Sequence, residues 1–84
     1  MIAVQRKAKI IWHCRRGMLE LDLILGRFAK DHLDKLNDKQ LSLFEGLLEQ
    51  PDPDLFAWLM GYEHTEDKEL ADIVAFIRLH DNIK

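Results

Sequence analysis

Apolar residues recur at intervals of three and four along almost the whole of this chain, a spacing that favours helices and leaves little room for strands. Val4, Ala8, Ile11 and Trp12 predict a first amphipathic helix with those four on its inner face. Met18, Leu21, Leu25 and Phe28, with Ile24, predict a second. Leu43, Phe44, Leu47 and Leu48 mark a third, and Leu70, Ile73, Val74 and Ile77 mark the last. No stretch alternates with the two-residue period of a strand, and there is no internal repeat or low-complexity tract. The expected fold is all-α: a compact bundle of about five short helices, with residues 1–84 forming a single domain.

Local signals punctuate these helices. Asn37, followed three residues later by Gln40, has the form of a capping box. The stretch "QPDPDLFAWLMG" reads as a short fourth helix, with Asp52 as N-cap, Pro53 in the first turn and Gly61 as terminator. Thr65 is the expected cap of the fifth, with Glu66 and Asp67 at the positive end of its dipole.

A chain of 84 residues removes only about 60–65% of its unfolded surface from water, so its core is small. Little volume is left for the deep pocket that a bound cofactor needs. No apolar run approaches the roughly 20 residues that span a bilayer. The single cysteine, Cys14, excludes an internal disulfide and suits a reducing compartment. The N-terminal stretch "MIAVQRKAKIIWHCRRG" is basic and acid-free, like a presequence, but it runs directly into the first helix. A soluble cytoplasmic protein without a targeting segment is expected.

Charge is unevenly placed. Residues 1–39 carry nine basic and five acidic side chains, whereas residues 40–84 carry three and ten. The net charge of −3 opposes non-specific nucleic-acid binding and still permits a positive patch near the N-terminus.

The motifs of self-contained enzymes are missing. The chain has no phosphate-cradling glycine loop and no nucleophile elbow. Its histidines, His13, His32, His64 and His80, are scattered, and none pairs with another at metal-ligand spacing within one helix. His13 and Cys14 are adjacent, so their side chains diverge by about 100° and cannot act as a dyad. Cys14 is expected to be buried and inert. Trp12 and Trp58 fall on apolar stripes and are expected in the core, with Trp58 a candidate for partial exposure beside a binding surface.

"CRRGMLELD" admits two readings. As a helix boundary, Arg15 and Arg16 occupy the last turn of the first helix and Gly17 makes a left-handed reversal. Glu20 and Asp22 then sit in the first turn of the second helix. As a contact surface, Arg16 and Glu20 project outward together, a forked donor beside an acceptor, with bare backbone at Gly17 between them. On that second reading, truncating Arg16 or Glu20 spares the fold. The residues alone leave both open.

"WHCRRGMLELD", followed by "LLEQPDPDLFAWLMG", resembles the SdhE-type succinate dehydrogenase assembly factors, a family of bacterial flavinylation factors that also has mitochondrial members. The likeness runs from Lys9 to the last helix, and the family's RGxxE motif is met by Arg16, Gly17 and Glu20. It implies a small helical monomer that binds the flavoprotein subunit of succinate dehydrogenase, with the related flavoprotein of fumarate reductase as a similar client. The factor would promote covalent attachment of FAD to that client. It implies a factor that is not itself an enzyme, with the flavin chemistry in the client and with neither a metal nor a tightly bound cofactor of its own. FAD belongs to the client and is contacted at most transiently. Membrane and nucleic acid are not implied partners. Carried over by position, Arg16, Gly17 and Glu20 form the client-contacting motif, with Arg15 and Asp22 flanking it and Lys9 on a basic rim. The alternative function is an antitoxin-like regulatory protein of a toxin–antitoxin pair.

Overall fold

The computed structural model describes residues 3–81. Five helices follow one another: α1 (Val4–His13), α2 (Leu19–His32), α3 (Asp38–Leu48), α4 (Asp52–Met60) and α5 (Lys68–His80). A 3-10 turn, Leu33–Lys35, links α2 to α3, and there is no strand among the described residues. The all-α bundle is the expected one.

The local signals account for several boundaries. Asn37 Oδ1 accepts the backbone N–H of Gln40 at 2.8 Å, while Gln40 Oε1 accepts that of Asn37 at 3.0 Å, completing the capping box of α3. Gly61 ends α4 in the left-handed region with φ of 80°. The backbone favours glycine there, and a Cβ would lie 2.7 Å from the Arg78 guanidinium, whose flexible side chain would have to shift.

Two starts differ from expectation. Asp52 is the first residue of α4, with Pro51 as its N-cap, and its carboxylate accepts from Arg16 instead of capping the helix. Asp67, and not Thr65, caps α5, its Oδ1 accepting from Glu69 and Leu70 N–H at 2.9 and 3.1 Å. Aspartate is the stronger cap and adds a charge at the positive end of the dipole. Thr65 instead accepts the Asp67 N–H through Oγ1, stabilising the approach to the helix.

The core is one continuous apolar cluster built mainly from α2 to α5, joined by Ile10 and Cys14. Leu21, Leu25 and Phe28 of α2 meet Leu41, Phe44 and Leu47 of α3, with Leu55 and Leu59 of α4 and Ile73 and Ile77 of α5. Phe28 centres it, its ring 5.2 Å from Phe44 and edge-on to Phe76 at 5.6 Å. Trp58 packs half-buried at the margin.

α1 is oriented differently from the reading of its sequence. It buries Ile10, with Cys14 one turn on, while Val4, Ala8, Ile11 and Trp12 are exposed. Ile10, Ile11 and Trp12 are consecutive, so helical spacing alone fits more than one inner face. Tertiary contact selects the one continuing through Arg6, whose Nη2 lies 2.6 Å from Glu45 Oε1 on α3. Hydrogen bonding to Arg6 holds the Glu45 carboxyl below its ordinary value.

Replacing Gly61 with alanine is expected to cost about 1–2 kcal/mol, from left-handed strain and from displacement of Arg78. Urea titration of the variant against the unmodified chain measures it.

Candidate functional site

Between α1 and α2 the chain turns a corner in five residues. Cys14 is the C-cap of α1, so Arg15 and Arg16 follow that helix and do not form its last turn. Gly17 has φ of 83°, which a side chain would strain. A Cβ at Gly17 would meet nothing within 4 Å, so the space above this backbone is open. Glu20 and Asp22 occupy the first turn of α2, on the favourable side of its dipole.

Arg16 corrects the outward reading. Its guanidinium points inward and is gripped on every side. Nε donates to Asp52 Oδ1 at 2.8 Å, and Nη1 to the carbonyls of Leu48 at 2.6 Å and His13 at 3.0 Å. Nη2 donates to the Gln50 carbonyl at 2.9 Å. The side chain is only 16% exposed. The carbonyls near a helix C-terminus have no partner within their own helix, so a planar fork of donors is well matched to the end of α3. The Arg16 backbone N–H meanwhile donates to Asp22 Oδ1 at 2.6 Å, fixing the turn from its other side. Arg16 thus holds the corner from within.

The remaining candidates separate. Arg15, Gly17 and Glu20 are exposed at the corner, and Asp22 is half-buried beside them. Arg15 and Asp22 also line a groove of about 530 Å³ between α1 and α2. Lys9 is exposed on another side of α1, in a smaller depression of about 380 Å³ with Glu45 and Glu49. The structure therefore does not bring Lys9 together with Arg15.

Two large apolar side chains flank the turn and were not read as part of it. Trp12, expected in the core, is 71% exposed, and Leu19 is 74% exposed. Leu19 carried a readable signal, since it lies off the Met18–Leu21–Leu25–Phe28 stripe of its own helix. Trp12 did not, because its exposure depends on how α1 is rotated against α3.

Cys14 is buried, and burial pushes its thiol up to about 11 against the opposing effect of Arg16. At neutral pH it is a protonated, unreactive core residue. His32 and His80, distant in sequence, bring their rings to 4.5 Å beside Phe76, a pairing across α2 and α5 that spacing within one helix could not reveal.

Comparison with known proteins gives consistent results. The family model described as "Flavinator of succinate dehydrogenase" matches residues 8–81. A FAD assembly factor SdhE of Legionella pneumophila (strain Lens) is 53% identical over 74 residues, covering 88% of this chain and 92% of that protein. One from Vibrio cholerae is 44% identical over 81 residues, covering 96% and 94%. The solution structure of a UPF0350 protein superposes with a TM-score of 0.81 at 44% identity, covering 98% of this chain and 87% of the other.

The inward clamp sets a clear expectation. Arg16→Ala removes charge-assisted bonds and leaves Asp52 unpaired, which should cost about 2–3 kcal/mol. Glu20→Ala, at an exposed position, should stay within about 0.5 kcal/mol of the unmodified chain. Paired urea melts separate the two.

Proposed function

The chain belongs to the Sdh5 family, the flavinators of succinate dehydrogenase, and from that membership we propose that it binds the flavoprotein subunit of succinate dehydrogenase and promotes covalent attachment of FAD to it. The flavoprotein of fumarate reductase is a second client on the same reading. The factor works as a cytoplasmic monomer, and FAD remains the client's cofactor. No described helix is long and apolar enough to cross a membrane.

The corner supports this reading: an open, left-handed Gly17 beside exposed Arg15 and Glu20, in a chain matched to the family across residues 8–81. Bare backbone lets another chain approach closely, and the charged side chains on either side give that approach a direction. Arg16 serves the contact by positioning it. Asp22 fixes the turn, and Lys9 lies outside this contact.

The factor's contribution is restraint. Holding a client in the conformation that aligns its nucleophile with the flavin can remove several kcal/mol, roughly, from the barrier, with no catalytic group from the factor. An exposed corner on a small, rigid bundle can do this without a cofactor pocket.

Purified apo-flavoprotein incubated with FAD, with and without this chain, tests the proposal. The chain should sharply raise the flavin fluorescence of the denatured flavoprotein band, and equal fluorescence without it would refute the reading. Gly17→Arg should lose the effect while remaining folded, at a stability cost of about 1–2 kcal/mol from strain at positive φ.

A further inference from the structure

The corner is one end of the α1–α2 groove, and the groove continues away from it along both helices. From Arg15 back to Lys7 on α1, and from Asp22 on to Lys30 on α2, the run is roughly 12 Å, or two helical turns. Between these ends the lining is apolar, with Ile11 47% and Leu23 49% exposed.

Positive charge surrounds this apolar strip. Arg15 stands at the corner end, and Lys7 and Lys30 stand at the other. Lys7 pairs with Asp34 at 2.9 Å, whereas Arg15 and Lys30 form no ion pair among the described residues. Among the described residues, Asp22 is the only carboxylate lining the groove, and its Oδ1 already accepts the Arg16 N–H.

Gly26 adds a second, independent oddity. It sits in the middle of α2, where glycine is a poor helix former, and its backbone is ordinary helix. A Cβ there would meet nothing within 4 Å, so the protein's own packing gives no reason for its absence. Together with Ala29 it keeps the groove open down to the backbone.

We propose that this groove seats a short apolar segment of the client flavoprotein that is flanked by carboxylates. The apolar residues would rest on Gly26 and Ala29 between Ile11 and Leu23, with the carboxylates meeting Arg15 and Lys30. A second copy of this chain fits poorly, because a two-fold contact through the groove sets its cations near their own counterparts. The proposal rests on the flavoprotein being the client, and it extends the contact from the corner along α1 and α2.

Calorimetric titration with the purified flavoprotein subunit of succinate dehydrogenase tests it. Gly26→Gln should raise the melting temperature by about 2–5 °C, through better helix propensity, yet weaken binding at least tenfold. A purely structural role for Gly26 predicts no such opposition between stability and affinity. Lys30→Glu should weaken binding at least fivefold and flatten its salt dependence, with the melting temperature lowered by only a few degrees, roughly, because a carboxylate in the last turn of α2 opposes the helix dipole. Affinities within twofold of the unmodified chain for both variants, with binding lost in Gly17→Arg, would overturn the groove and leave the corner contact standing. Absence of binding by the unmodified chain would overturn both.

Discussion

The geometry of this molecule depends on one guanidinium. Arg16 joins the end of α1, the end of α3 and the start of α4 through His13, Leu48, Gln50 and Asp52. Each acceptor sits at a helix terminus or just beyond it, where backbone carbonyls lack intrahelical partners or where a carboxylate suits the dipole. A lysine could neutralise Asp52 but could not fork across three carbonyls at fixed angles. With Arg16 anchored, the next residue has to reverse the chain, and Gly17 does so at positive φ.

This arrangement merges the two readings of "RRGMLE". The helix-boundary chemistry is real, and it is what presents the exposed part of the motif. Arg16 belongs to the framework, Gly17 supplies both the reversal and the open backbone, and Glu20 faces solvent from the first turn of α2. On the proposed function, a requirement for Arg16 in any assay therefore mixes folding with recognition, whereas Gly17 and Glu20 would report on recognition more directly.

What was legible in the sequence follows the range of the forces involved. The capping box at Asn37, the stop at Gly61 and the stripes of α2, α3 and α5 depend on residues within about four positions, and all were readable. The direction of Arg16 was not, because its partner Asp52 is 36 residues away and looked like an ordinary helix cap. The inner face of α1 was hidden for a related reason. Ile10, Ile11 and Trp12 offer competing faces, and contact with α3 chose among them. The start of α5 failed on a local ambiguity, two capping residues two positions apart.

The rotation of α1 has a consequence that reaches the surface. Turning Ile10 and Cys14 inward leaves Ile11 and Trp12 outward, and Ile11 lines the same groove as Leu23, which lies off the stripe of α2 as Leu19 does. Single exposed apolar residues are common on any protein and need no explanation. Here five of them, Val4, Ile11, Trp12, Leu19 and Leu23, come from the two consecutive helices on either side of the motif turn, while the inner faces of those helices are already filled. A small domain gains little stability by leaving such surface in water, since its core is limited to begin with. On the proposed reading their placement suits a client-facing surface: α1 contributes little to the core and, through Ile11, helps to form the groove it shares with α2.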